Sequence, residues 1–194
     1  MLRRVLIANR GEIARRVIRT CREMNLETVA VYSEADASAP FVQEADRAVL
    51  IGPATASESY LNIKAVIEAA KKTKADAVHP GYGFLSENPL FADACAEAGL
   101  IFVGPPASVI RRTGSKTAAR EAVRAAGVPV VPGETPASQS DADLLAAVER
   151  VGFPALLKAA AGGGGRGQRI VRTMDEAREG VGTARREAQR AFAD

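Results

Sequence analysis

The chain has 194 residues, 47% of them hydrophobic and 25% charged, with 17 glycines and 10 prolines. That excludes a disordered chain, a collagen-like repeat and a disulfide scaffold, and it leaves ample apolar material for a core. A formal charge of +3, from 26 basic and 23 acidic residues, is too small to mark a nucleic-acid binder. With 5% aromatic residues and no Trp, the core must be built from Ala, Val, Ile and Leu. No run is long enough to span a membrane, and residues 1–10 lack signal-peptide anatomy. Cys21 and Cys95 fall inside helical patterns and read as buried free thiols, so a cytoplasmic location is expected. A lone His79 offers no His cluster for a zinc site.

Residues 4–8 (RVLIA) are a continuous apolar run, as a buried parallel strand requires. Residues 11–24 carry Ile13, Val17, Ile18, Cys21 and Met24 at helical spacing. Residues 27–32 read as a second strand, and 45–51 contain a third short apolar run. Residues 59–72 are amphipathic through Leu61, Ile63, Val66, Ile67 and Ala70, which predicts a helix. Residues 75–79 are strand-like and stop at Pro80. Pro89 opens a helix over 89–98. Residues 100–103 are a further strand, stopped by Gly104-Pro105-Pro106. Strands alternating with helices imply right-handed crossovers and a parallel sheet. Residues 1–104 are therefore predicted to be a Rossmann-like α/β domain. Its functional loops should lie at the carboxyl ends of the strands, at Asn9-Arg10-Gly11-Glu12 and Pro80-Gly81-Tyr82-Gly83.

The pattern changes after Pro106. Residues 105–130 read as connecting helices, over 107–112 and 116–126, meeting at Gly114. The proline-rich VPVVPG (128–133) is a plausible boundary. Residues 131–194 read as helix (141–151), strand (154–160), glycine loop, strand (168–172) and helix (173–193). Thr173 and Glu176 fit a capping box. This is a small α+β unit.

The segment Gly162-Gly163-Gly164-Gly165-Arg166-Gly167 is the most informative. It satisfies G-x-G-x-x-G formally, but a dinucleotide fingerprint requires a strand before the loop and a helix after it. Here a strand follows. Gly114-Ser115-Lys116-Thr117 fails as a Walker A loop, because Ser115 stands where Gly must precede Lys. A glycine loop between two strands has another use. Without Cβ atoms, its backbone N–H groups can wrap phosphate oxygens. Lys158 on the entering strand and Arg166 inside the loop would add charge. A plain hairpin tip is the alternative. Lys116, at a helix start, needs no role on this reading.

Residues 7–14 (IANRGEIA), 30–36 (AVYSEAD), 79–88 (HPGYGFLSEN), 103–105 and 158–167, in this order and spacing, resemble the biotin carboxylase family. The likeness runs over essentially the whole chain. The family's fold, as the resemblance implies it, is a Rossmann-like parallel sheet (the pre-ATP-grasp domain) followed by a small α+β ATP-grasp lid. That lid would be cut here, lacking a strand after Ala193. The implied activity is an ATP-dependent ligase reaction. ATP and bicarbonate give carboxyphosphate and ADP, and the carboxyl group moves to N1′ of biotin on a carrier protein or domain.

By the same resemblance, Lys116 and Lys158 match lysines that contact ATP. Gly163, Gly164 and Gly165 match the loop over the phosphates, with Arg166 beside them, and Gln168 borders the nucleotide. Gln168 stands where the family usually has Met. Tyr82 matches a tyrosine near the biotin site. Arg16, Arg19 and Glu23 match a homodimer contact, with Arg19 and Glu23 as cross-subunit ion partners. Implied cofactors are ATP, Mg2+ and biotin, and implied partners are the biotin carboxyl carrier and a carboxyltransferase. The family's metal ligands, bicarbonate-binding arginines and catalytic base are expected beyond residue 194. No catalytic or metal-binding residue is therefore expected within these 194, and the chain alone is expected to be inactive or nearly so. The competing readings are another ATP-grasp ligase and a non-catalytic module for dimerisation or nucleotide binding. HPGYGFLSEN argues against the first of these.

Overall fold

The computed structural model describes residues 2–114, 116–136, 138–158 and 168–192, with the side chains of 116 and 187–192 left aside. The chain divides into two compact units, Met1–Arg112 and Thr113–Asp194.

In the first unit, strands β1 (Arg4–Ile7), β2 (Glu27–Ser33), β3 (Arg47–Gly52), β4 (Ala77–His79) and β5 (Ile101–Phe102) form one sheet. Every pairing is parallel and the order is β3-β2-β1-β4-β5. This is the strand order of the first five strands of a Rossmann sheet. The central strand shows why its sequence is apolar throughout. Side chains alternate across a strand. Val5 and Ile7 join one core cluster with Ala14, Val17, Ile18 and Cys21, while Leu6 and Ala8 join the other with Val66, Ile67, Val78 and Phe91. Leu6 and Ile7 have no exposed surface. Burying such a side chain stabilises by about 1.5–3 kcal/mol.

Helix α1 (Gly11–Glu23) covers the first face, together with the short α2 (Pro40–Glu44). Helices α3 (Ile63–Thr73) and α4 (Pro89–Glu97) cover the second. Polar side chains set the ends of both. Asn62 accepts from the Ala65 N–H at α3, and Asn88 accepts from the Leu90 N–H at α4, where Pro89 occupies the first helical position. The predicted helix over 59–72 therefore begins at Ile63. Residues Ala56–Glu58 form a 3-10 turn instead, which turns Tyr60 into the core. Strand β4 starts two residues later than the apolar run. Ala75 still bonds to the Ala70 carbonyl at the helix end, and the Asp76 carboxylate accepts from the Arg3 and Arg4 N–H groups.

Helix α5 (Ala107–Gly114) runs two residues past its expected end, and α6 (Lys116–Ala125) follows it in the chain. In the second unit, the Arg120 guanidinium donates to the Val131 and Gly133 carbonyls at 2.9 and 2.6 Å, pinning the proline-rich segment. Helix α7 (Asp141–Val151) is capped by Ser140, which accepts from the Asp143 N–H. Strands β6 (Ala155–Lys158) and β7 (Gln168–Val171) pair antiparallel, and α8 (Met174–Phe192) follows. Thr173 accepts from the Glu176 N–H, but the Glu176 carboxylate returns to the Arg172 N–H rather than to Thr173. Val148, Ala155, Val171 and Ala177 make a small core between the ribbon and these two helices. Both cysteines are free and buried. Among the described residues, no helix is long and apolar enough to cross a membrane.

Candidate functional site

The two functional loops expected from the sequence meet at the carboxyl edge of the first sheet. Ile7 pairs with His79, so β1 and β4 end at one level, while β2 runs on past Ala30 to Ser33. The strand order reverses between β1 and β4, which is where open α/β sheets bind ligands. Asn9 fills this position. It is 3% exposed, and its Nδ2 donates to the Pro80 and Tyr82 carbonyls at 2.8 and 2.7 Å. Its Oδ1 accepts from the Arg10 N–H. Gly81 has φ +65, and a Cβ there would lie 2.7 Å from the Asn9 Nδ2, so this close approach requires glycine. His79 accepts the Gly81 N–H at Nδ1, 3.0 Å away, which leaves its proton on Nε2. Burial holds the His79 imidazole below its ordinary pKa, which favours its neutral form.

A second group sits beside these loops. Asp36, 7% exposed, accepts from Arg10 Nε and Nη2, from Ser33 Oγ and from Tyr60 Oη. The Arg10 hydrogen bonds, chiefly, hold its carboxyl below the usual carboxylate range. The buried Tyr60 hydroxyl is pushed up to about 12, first by burial and then by its bond to Asp36. The Tyr60 ring stacks on Phe84 with centroids 5.1 Å apart, and the Arg10 guanidinium lies 5.9 Å from the Tyr60 centroid. Phe84 has φ +42. A left-handed residue bearing a Cβ costs about 1–2 kcal/mol, and an aromatic pair contributes about 0.5–1.5 kcal/mol. The stack is thus of the right size to offset the strain.

Tyr82 stands exposed and donates its hydroxyl to the Glu12 carboxylate, which raises the tyrosine's pKa. On α1, Arg15 pairs with the Glu44 carboxylate and Arg22 donates to the Glu44 carbonyl. Arg16, Arg19 and Glu23 are exposed.

In the second unit, Lys158 and Gln168 are direct partners across the β6–β7 ribbon. Directly opposed residues share a face. Leu156 and Ile170 lie on that face, 46% and 56% exposed, whereas Ala155 and Val171 on the other are buried. The outcome is an apolar shelf with one ammonium group at its end. Lys116 opens α6, and its side chain lies outside the described residues, as do Gly163, Gly164, Gly165 and Arg166. Among the described residues, no group of three or more His, Cys, Asp or Glu could hold a metal ion.

Sequence reasoning found the two loops but not Asp36 or Tyr60 as members of the site. Both follow carboxyl ends of strands, β2 and β3, and that position is the signal that could have found them.

Residues 1–110 match the family model described as biotin carboxylase, N-terminal domain. Residues 115–194 match the one described as carbamoyl-phosphate synthase L chain, ATP binding domain. A Rossmann-like unit followed by an ATP-binding unit of this kind defines the ATP-grasp class. The chain belongs to the biotin carboxylase family. It is 49% identical to biotin carboxylase 1 of Bacillus subtilis over 192 residues, covering 99% of this chain and 43% of that protein. It is 51% identical to the alpha subunit of mouse mitochondrial methylcrotonoyl-CoA carboxylase, covering 98% of this chain and 27% of that one. Among solved structures, it resembles the biotin carboxylase domain of the Hydrogenobacter thermophilus 2-oxoglutarate carboxylase, a dimer with MgADP, ADP and bicarbonate. The TM-score is 0.90 at 44% identity, covering 100% of this chain and 42% of that one. The chain thus spans less than half the length of these relatives.

Proposed function

We propose that this chain is the N-terminal portion of a biotin carboxylase and supplies part of its nucleotide and biotin sites. The observation that carries this reading is the pair of matches in family order along one chain, Rossmann-like unit first and ATP-binding unit second. In the reaction, a bicarbonate oxygen attacks the γ-phosphorus of ATP and the bond to the β–γ bridging oxygen breaks, giving carboxyphosphate and ADP. The carboxyl carbon then passes to N1′ of biotin, phosphate leaves, and the N1′ proton goes to that phosphate. Mg2+, when bound, neutralises charge on the phosphates. The described residues offer no metal-binding cluster, so none is assigned as its ligand.

The chain's own residues have narrower tasks. The exposed face of the β6–β7 ribbon suits an adenine nucleotide, since Leu156 and Ile170 offer apolar contact and Lys158 offers charge. Lys116, Gly163, Gly164, Gly165, Arg166 and Gln168 complete the proposed ATP contacts. Tyr82, presented by a loop that Asn9 clamps from below, faces the biotin side. Arg16, Arg19 and Glu23 form the contact with a second copy, and a biotin carrier and a carboxyltransferase are the further partners. The reading assigns no catalytic base to this chain.

Titration calorimetry of this chain with ATP tests the nucleotide role. A charge-assisted bond contributes about 1.5–3 kcal/mol, so Lys158→Ala should weaken binding about tenfold or more. Equal affinity in the two proteins would remove Lys158 from the site.

A further inference from the structure

Arg10, Ser33, Asp36, Tyr60 and Phe84 form one connected cluster, and the proposed chemistry assigns a task to none of them. The cluster joins the segments at the carboxyl ends of four strands, β1 to β4. Asp36 is its hub, with four donors converging on two oxygens from β1's loop, from β2's end and from Tyr60. Tyr60 is 3% exposed and is held from both sides, donating to Asp36 and accepting from the Ser33 N–H at 3.1 Å. Its ring face is turned to Phe84, at an interplanar angle of 18°.

Phe84 is the unusual member. Among the described residues, the other non-glycine positions with positive φ are Asn25 and Lys74, both at helix ends where left-handed caps are common. Phe84 lies in the loop two residues after Tyr82. A bulky residue persists in that conformation when its surroundings over-determine it. The loop has two tethers. Asn9 holds the Pro80 and Tyr82 carbonyls, and the Tyr60 ring holds Phe84. Both tethers lead to Asp36, the first through Arg10, the neighbour of Asn9, and the second through Tyr60.

We propose that Asp36 is a positioning residue for the biotin acceptor: through Tyr60 and Arg10 it fixes the loop that presents Tyr82. This rests on the assignment of Tyr82 to the biotin side. A purely structural Asp36 would differ, since its loss would lower stability and disturb all kinetic constants together.

The test is steady-state kinetics with free biotin on the full-length protein carrying these residues, as wild type, Asp36→Asn and Phe84→Leu. The expected result is a biotin KM raised about fivefold or more in both variants, with the KM for ATP unchanged within about twofold. An unchanged biotin KM in either folded variant, or equal rises in both constants, would overturn the proposal. Phe84→Leu leaves the buried charge paired, so it decides the matter if Asp36→Asn does not fold. A parallel measurement separates this claim from the functional reading. If the wild type shows no biotin-dependent turnover, that reading fails, and NMR of the 194-residue chain still decides whether the loop is positioned. Shifted Tyr82 and Asn9 side-chain resonances in both variants support positioning, and unmoved resonances overturn it.

Discussion

At the residue scale, the best-defined chemistry is the carboxylate–phenol pair of Asp36 and Tyr60. The two groups shift in opposite directions: the Arg10 hydrogen bonds chiefly lower Asp36, burial chiefly raises Tyr60, and the bond between the two adds to both shifts. Asp36 titrates below the ordinary carboxylate range, so the stability it contributes is full above about pH 4 and is lost as pH falls toward its lowered value. Tyr60 is pushed from 10 to about 12, so its contribution is full below pH 10 and is lost between that value and about 12. Tyrosinate absorbance should therefore show a late step near pH 12, well above the ordinary phenol, which disappears in Tyr60→Phe. A wild type whose tyrosines have all ionised below pH 11 would contradict the buried hydrogen bond. Neither residue announced itself in the sequence. Residues 10, 33, 36, 60 and 84 come together only once parallel crossovers bring four strand ends to one edge.

At the element scale, the sheet and its main helices were legible. A strand buried on both faces reads as an unbroken apolar run, and RVLIA is such a run, with Val5 and Ile7 on one face and Leu6 and Ala8 on the other. Helix α1 was equally plain, because its apolar positions repeat at helical spacing. Short elements escaped. Helix α2 has five residues opened by Pro40, too few for periodicity to register. The start of α3 was placed early because Leu61 falls in step with the apolar positions of the helix, although Asn62 is the cap and Tyr60 is turned inward to Asp36. The βα loops are the elements that form the candidate site, and Gly81 is where two of them touch. Gly81→Ala adds a left-handed penalty of about 1–2 kcal/mol to a contact of 2.7 Å with the Asn9 side chain. Urea unfolding should show a loss of at least that size. A change under about 0.5 kcal/mol, ordinary for surface substitutions, would mean that Asn9 does not clamp the loop.

At the scale of the molecule, the two units differ in what the sequence disclosed. The first has two core clusters and a continuous sheet, and its architecture followed from strand–helix alternation. The second has one small core of ribbon and helices; its described helices and strands fall where the sequence reading put them, while the nucleotide role proposed for it came from a glycine run that lies outside the described residues. What the structure adds there is the shared face of Lys158 and Gln168 with two exposed apolar side chains. Periodicity alone could not supply this face, because it depends on the register of β6 against β7.

The central claim is that these residues serve an ATP-dependent carboxylation of biotin. Its most direct test is bicarbonate-dependent ADP release by the full-length protein, with and without free biotin, in wild type and Lys158→Ala. The account predicts release stimulated by biotin in the wild type, and a raised KM for ATP or lost turnover in the variant. Bicarbonate-dependent release that ignores biotin but responds to another acceptor, such as ammonia, would contradict it.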